Sequence, residues 1–221
     1  MDFKQHHKPT FDNIPKEKKK RIVDVATKEF AKNGYHDASI STIASKSGIS
    51  VGAVYKYFEN KQDLFLTIVD ESIRRMENML LGLAKEDVDV IIKVEMILRE
   101  IIRTSREESI LMRLYNSMTA INDDKLAGQF AKEMESITAE IYTEAIREGQ
   151  KVGEVRTDID PQIAAWLIDN LFMSLQFSYA GSYYSERYKV YCGGDISESE
   201  KDEYVIAEIL KFIKSALKTE K

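Results

Sequence analysis

Proline occurs at three positions in this chain, Pro9, Pro15 and Pro161, and no long segment alternates apolar and polar residues as a half-buried strand does. Apolar residues instead recur at intervals of three and four. Asp160 and Pro161 supply an N-cap and a first-turn proline for one of these helical segments. The sequence therefore predicts an all-α fold.

The same periodicity sets the expected helix boundaries. Asn33-Gly34 predicts the end of a first helix that begins after Pro15. A capping box of Ser197 and Glu200 predicts the start of the last helix. The remaining expected helices cover residues 61–84, 88–106, 109–121, 123–151 and 160–181.

The cysteine count and the distribution of apolar residues indicate in which cellular compartment the protein works. Cys192 is the single cysteine, so no intramolecular disulfide can form. The N-terminal residues lack the apolar region of a signal peptide. The most apolar run, residues 163–180, is interrupted by Asp169, Asn170 and Gln176, which disfavours a membrane span. We expect a cytoplasmic protein without membrane association.

Charge is unevenly distributed along the chain. Residues 1–65 hold 12 Lys/Arg and 8 Asp/Glu, a formal charge of +4, whereas the remainder carries −9 of the total of −5. A basic N-terminal part is typical of a surface that meets a polyanion. A chance imbalance of solvated side chains explains the charge equally well.

The stretch SISTIASKSGISVGAVYKYF, residues 39–58, predicts two short helices joined at Gly48. In the second, Val54 and Phe58 face inward, which leaves small residues, tyrosines and a lysine outside. Small side chains let a helix enter the DNA major groove, and tyrosine or lysine can bind phosphates. Any compact helical hairpin can imitate this pattern. The candidate DNA contacts are Ser39, Ser41, Ser50, Val51, Gly52, Ala53, Tyr55, Lys56, Tyr57 and Lys61.

A longer stretch, GYHDASISTIASKSGISVGAVYKYFENKQDLF, resembles the TetR family of bacterial transcriptional regulators. The shared features, which lie within a gap-free match over roughly residues 15–75, are Gly34-Tyr35, Ile43-Ala44, Gly48, Gly52, Tyr55, Tyr57-Phe58, Lys61 and Leu64. Ser39 and Ala53 stand where the family often has threonine. Ala53 lacks a hydroxyl, so apolar contact and DNA shape would carry more of the base reading.

The resemblance implies a three-helix, N-terminal helix-turn-helix head followed by a helical body that dimerises and often binds a small molecule. The residues themselves predict a flexible basic arm at 1–14, and the resemblance predicts a DNA-binding domain at 15–60. It further predicts a connecting helix at 61–84 and a ligand-binding and dimerisation domain at 85–221. The expected partner is double-stranded DNA.

Two C-terminal helices are apolar around most of their circumference, although a surface helix needs one apolar stripe. Each can bury one side in its own body and the other in a second copy, which predicts a homodimer and a roughly palindromic operator. A single thick core is the alternative. The expected interface residues are Leu167, Leu171, Leu175, Ile206, Leu210 and Ile213.

Methionine and aromatic residues on the body helices suggest a site for a small apolar or amphipathic ligand, because such side chains line adaptable pockets. At helical spacing, however, they more often form an ordinary core. The candidates are Met96, Met112, Tyr115, Met118, Phe130, Met134, Trp166 and Phe177. The tyrosine-rich run at residues 177–192 fits a pocket mouth or an interface.

No catalytic constellation, metal-ligand set or cofactor motif stands out, so we expect no enzyme, no metal and no cofactor. Three hypotheses remain. The first is a repressor released from its operator by a ligand, and the second is a regulator of the same fold that answers to a protein partner or to no ligand. The third is an enzyme on a helical scaffold.

Overall fold

The computed structural model describes residues 5–107, 110, 112–115, 124–196 and 199–218, without the side chains of residues 124–126, 129, 130, 133, 134 and 199. Within these ranges the regular secondary structure is helical, and the all-α prediction is confirmed. The helices are α1 (Pro9–Asp12), α2 (Lys16–Asp37), α3 (Ile40–Ser47), α4 (Val51–Tyr57), α5 (Lys61–Ala84), α6 (Val90–Glu107), α7 (Asp124–Lys151), α8 (Pro161–Ala180), α9 (Ser182–Cys192) and α10 (Asp202–Leu217).

Helix boundaries follow the local signals in most places. Asp160 caps α8 by accepting hydrogen bonds from the backbone N–H groups of Gln162 and Ile163, both at 2.9 Å. Gly34 interrupts α2 with a φ of 73°, and a short helical turn continues to Asp37. A β-carbon is strained at that φ, so glycine suits the position.

Other boundaries differ from the sequence prediction. The last α-helix begins at Asp202, after a 3₁₀ turn over Ser199–Lys201. The expected capping box therefore does not start it, and Ser197 lies outside the described residues. Most of the expected helix at 109–121 lies outside them too. Residues 182–192 form a separate helix, α9.

The chain divides into two compact units, and it passes from one to the other within α5, after Met112 and within α7. The first unit is Met1–Arg75 with Arg113–Ala127. Its core packs α2 to α4 against the first part of α5, and the rings of Phe30 and Phe65 meet edge-on at 4.9 Å. The first unit therefore extends beyond the head predicted at 15–60.

Residues 5–14 are not a free arm. They contain α1, and Phe11 is buried against the rings of Tyr57 and Phe58. The expected flexible basic arm is therefore wrong for this segment, because an apolar anchor holds it. Residues 1–14 are also not basic by formal charge, because they contain two lysines and two aspartates.

The second unit is Met76–Met112 with Gly128–Lys221. Its core draws buried apolar residues from the end of α5 and from α6, α7, α8 and α10, among them Leu80, Leu98, Ile146, Phe172 and Ile213. Arg106 on α6 binds Asp202 on α10 through two nitrogens, at 2.9 and 2.7 Å. Tyr179 on α8 donates to the same carboxylate at 2.8 Å, so one polar cluster ties three helices together.

None of the helices in the described ranges is long and apolar enough to cross a membrane. The part of the chain that the structure describes also contains no group of three histidine, cysteine or acidic side chains arranged to hold a metal ion.

Candidate nucleic-acid interface

Gly48 closes the turn between α3 and α4 with a φ of 69° and a ψ of 35°, in the left-handed region. The backbone N–H groups of Gly48 and Ile49 donate to the carbonyl oxygens of Ser45 and Ala44, at 3.1 and 3.0 Å. This is the geometry that ends many helices at a glycine. The predicted turn is confirmed.

Two serines set where the helices of this hairpin begin. Ser39 accepts a hydrogen bond from the N–H of Thr42 at 3.3 Å, and Ser50 accepts one from the N–H of Ala53 at 3.1 Å. The hydroxyl groups of Ser39 and Ser41 lie 2.8 Å apart at the start of α3. The serines therefore have a structural role as caps, and their contact with DNA stays a prediction.

Helix α4 buries one side and exposes the other. Val54 is almost fully buried. On the opposite side, Val51 and Tyr55 are 41% and 45% exposed, and Gly52 and Lys56 are exposed as well. Ala53 is half-buried. The outward face is thus small and neutral with a lysine and a phenol near its end, as the sequence predicts.

Gly52 has no internal reason to be glycine. Its φ is not positive, and a β-carbon built there would meet one atom within 4 Å, the Ser50 hydroxyl oxygen at 3.9 Å. Neither backbone strain nor close packing therefore requires a residue without a side chain at this position. The approach of a DNA groove to this position, which a glycine would permit, stays a prediction.

Tyr57 does not share the exposed face. It is 6% exposed, and its ring packs against Phe11 and Phe58 at centroid distances of 5.8 and 6.5 Å. The expectation that Tyr57 faces outward is wrong, because the segment at residues 8–12 covers it. Tyr55 presents the exposed phenol of α4.

Lys61, at the start of α5, has partners inside the protein. Its ammonium donates to the carbonyl oxygens of His36 and Ala38, at 2.7 and 3.3 Å, and lies 5.2 Å from the centre of the Tyr35 ring. It thus supports the end of α2. An ammonium has three N–H groups, and the contact of Lys61 with a DNA phosphate stays a prediction.

The sequence interpretation missed the role of Glu29, a carboxylate that is 5% exposed in the first unit. It accepts a hydrogen bond from Asn33 at 2.8 Å and a longer one from the backbone N–H of Ser39 at 3.4 Å, and Lys46 lies 3.5 Å away. Glu29 therefore links α2 to the beginning of α3. In the sequence, Glu29 lies at helical spacing from apolar residues of α2, and this pattern could have indicated that its carboxylate is buried.

The six expected interface residues separate into two groups. Leu175, Ile206 and Ile213 are buried in the core of the second unit, so their assignment to an interface is wrong. Leu167 is 53% exposed, and Leu171 and Leu210 are half-buried. The misassignment arises because a helix that is apolar nearly all round does not reveal which side faces its own core.

Large apolar side chains on α8 and α10 are exposed at helical spacing. Ile163, Trp166 and Leu167 share one side of α8. Tyr204 and Phe212, two turns apart on α10, are exposed as well. Exposed apolar side chains that lie together on one surface are typical of an interaction site.

A surface groove between α7 and α8 has a volume of about 680 Å³. Trp166, Tyr142 and Met173 provide apolar lining, and Asp169 and Glu135 provide carboxylates. Burial raises the pKa of Asp169 to about 6, with Glu135 adding repulsion.

Among the eight predicted ligand residues, Trp166 lines this groove. Phe177 is buried against Tyr184, and Met96, Met112 and Tyr115 are half-buried. Met118 and the side chains of Phe130 and Met134 lie outside the described residues. Among the side chains that the structure describes, the groove and the predicted set overlap at Trp166.

Comparison with known proteins matches residues 22–68 to the model described as "Bacterial regulatory proteins, tetR family". These residues contain α3, the Gly48 turn and α4. This part of the chain is a DNA-binding domain of the TetR family. The protein is a DNA-binding transcriptional regulator, and the family is not enzymatic, as the sequence predicts.

Relatives within the TetR family are distant. The Bacillus subtilis "Fatty acid metabolism regulator protein" is 27% identical over 154 residues, 67% of this chain and 76% of that protein. The Escherichia coli "Probable acrEF/envCD operon repressor" is 24% identical over 162 residues, 71% of this chain and 73% of that protein.

Solved TetR-type structures share the fold over nearly the whole chain. The transcriptional regulator FadR from Bacillus subtilis, in complex with stearoyl-CoA, matches with a TM-score of 0.72 and 19% identity. The match covers 89% of this chain and 98% of FadR. At this identity the likeness establishes the fold.

Proposed function

We propose that this regulator is a cytoplasmic, homodimeric repressor that leaves a roughly palindromic operator when a small apolar or amphipathic ligand binds its second unit. The outward face of α4 carries the proposal. Val51, Gly52 and Tyr55 are exposed on a two-turn helix, and Gly52 has room for a side chain that it lacks.

In this proposal α4 enters the major groove. Val51 and Ala53 would contact base edges such as thymine methyls, and Gly52 would permit the close approach. Tyr55, Lys56 and the serines at the start of α3 would bind phosphates, which fix register without reading sequence. Lys61 would add a phosphate contact through its remaining N–H.

The apolar stripes on α8 and α10 support the homodimer. Ile163, Trp166 and Leu167, together with Tyr204 and Phe212, would form a self-complementary interface across a two-fold axis. Leu171 and Leu210, which are half-buried, would lie at its edge. A two-fold dimer presents two α4 helices, so its operator would contain two related half-sites.

Ligand control is supported by the groove and by the relatives. A cleft of about 680 Å³ with a tryptophan and a tyrosine is large enough for an amphipathic small molecule. Glu135, Glu140 and Glu144 line the same groove and would repel the phosphates of an acyl-CoA. The ligand of FadR is therefore not carried over to this site.

Helix α5 offers a route from ligand to DNA, because one continuous helix contributes to both units. Its 24 residues span about 36 Å at ~1.5 Å per residue. Two α4 helices must reach successive major grooves about 34 Å apart. A ligand that prefers another arrangement of α5 would spoil this spacing and release the operator.

The test has two stages. Footprinting of the DNA upstream of the regulator's own gene, with and without compounds suggested by neighbouring genes, identifies the operator and an effector. Titration of that effector into free and operator-bound protein then measures linkage, and operator should lower effector affinity by the factor by which effector lowers operator affinity. Equal affinities in the two titrations would favour control by a protein partner or no control by ligand.

A further inference from the structure

Helix α4 has seven residues, so groups that lack a partner within the helix make up a large part of its backbone. The last four carbonyl groups of any α-helix have no partner within the helix. Here the carbonyl of Val54 accepts from the N–H of Phe58, at 2.9 Å. The carbonyls of Tyr55, Lys56 and Tyr57 need donors from elsewhere.

Residues 8 and 10 supply all three donors. The Lys8 ammonium donates to the Tyr55 carbonyl oxygen at 3.0 Å, and the Lys8 backbone N–H donates to that of Tyr57 at 2.8 Å. The Thr10 hydroxyl donates to the Lys56 carbonyl oxygen at 2.5 Å. A segment more than forty residues away in sequence thus completes the C-terminal end of α4.

The donor segment is itself anchored. Phe11 is 4% exposed and packs on the Phe58 ring at 4.8 Å, directly after the α4 residues that the segment caps. Lys8 also forms an ion pair with Glu59 at 2.6 Å. The apolar anchor fixes the register in which Lys8 and Thr10 meet the three carbonyls.

We infer that residues 8–11 are a positioning element for DNA recognition, which keeps α4 helical and its outward face in place. The inference rests on the proposed role of α4 in DNA binding. A protein whose binding-competent conformation is populated only part of the time loses affinity in proportion to that fraction. Lys8 and Thr10 therefore act on operator affinity through α4, without touching a base.

The test uses the full-length protein and the variant Thr10→Val, which removes the hydroxyl and keeps the shape. Thr10→Ser restores the donor. Thr67→Val is the matched control, because the Thr67 hydroxyl also bonds a backbone carbonyl, that of Asp63 at 2.8 Å, but within α5. Each protein is measured by amide hydrogen exchange at residues 54–58 and by affinity for the operator and for unrelated DNA.

Thr10→Val should speed exchange at residues 54–58 by about two- to tenfold, the factor that one hydrogen bond supports. Operator affinity should fall by up to the same factor. Thr10→Ser should stay within about twofold of wild type, and Thr67→Val should change neither readout.

Unchanged exchange in α4, or an equal acceleration in α2 and α5, would overturn the inference, since the segment would then be an ordinary part of the core. If exchange changed and operator affinity did not, the cap would exist without positioning α4 for DNA. Failure of the wild type to bind any operator would instead reject the role of α4, and the exchange result would still decide whether the cap exists.

Discussion

The ammonium of Lys61 donates a 2.7 Å hydrogen bond to the backbone carbonyl oxygen of His36, near the end of α2. The contact joins the start of α5 to the end of another helix 25 residues earlier. A residue that the sequence marks as a phosphate ligand thus has a second role inside the first unit.

Lys61→Met should lower the free energy of unfolding by about 1–2 kcal/mol, because two backbone carbonyls lose a charged donor. Lys56→Met is the matched variant, since Lys56 is exposed on α4 and should leave stability unchanged. Urea denaturation measures the first effect. If both ammonium groups meet phosphates, each variant should reduce the slope of log binding constant against log salt concentration by about one. Wild-type stability in Lys61→Met would rule out the structural role.

A charge on the exposed apolar stripes should separate the proposed dimer without unfolding the chain. Leu167→Lys and Phe212→Lys place the charge where the protomer has no core to disturb. Sedimentation should show folded monomers that bind a full operator poorly. Ile213→Lys should instead unfold the protein, because Ile213 is 1% exposed.

The control for this experiment is Val190→Lys on α9, which is exposed and lies on neither stripe. It should remain dimeric. A wild-type protein that sediments as a monomer at micromolar concentration would contradict the homodimer itself.

Asp169 should make stability depend on pH. Burial, and then Glu135, raise the pKa of its carboxyl from 3.8 to about 6. A raised pKa means that the folded state binds the proton more tightly than the unfolded state. The stability that Asp169 contributes is therefore fully present below about pH 3.8 and is lost as pH rises through about 6. Asp169→Asn should therefore be more stable than wild type above about pH 6, and the difference should vanish near pH 4.

Asp158→Asn is the control of opposite sign. Arg156 donates two hydrogen bonds of 2.6 Å to this carboxylate and lowers the pKa of Asp158. The stability that Asp158 contributes is present above the ordinary pKa of an aspartate and is lost as pH falls. Melting temperatures of both variants across this range check the signs, and an Asp169→Asn advantage that persists at low pH would contradict the burial effect.

Local signals in the sequence predicted the hairpin well. Gly48, Ser39, Ser50 and Asp160 act through bonds to neighbours within five residues along the chain, so their positions carry the information. The burial of Val54 followed from its spacing to Phe58 in the same way.

Contacts between distant segments were beyond the sequence. Phe11 meets Phe58 only after the chain has folded back, so residues 5–14 looked like a free arm. The phase of α10 was ambiguous for a related reason. Ile206 and Ile213 face the core and Phe212 faces outward, although all three are apolar and the choice depends on what the other helices cover.

The central claim, that the outward face of α4 binds DNA, is tested most directly at Gly52. Gly52→Leu adds bulk where the protein itself has room, and Gly82→Leu makes the same change at a helical glycine on α5 with no atom near its β-carbon. Fluorescence anisotropy with a labelled operator should show at least tenfold weaker binding for Gly52→Leu, a loss of about 1.4 kcal/mol. Both variants should melt no lower than wild type, because leucine favours a helix over glycine. Wild-type operator affinity in a folded Gly52→Leu protein would contradict the claim.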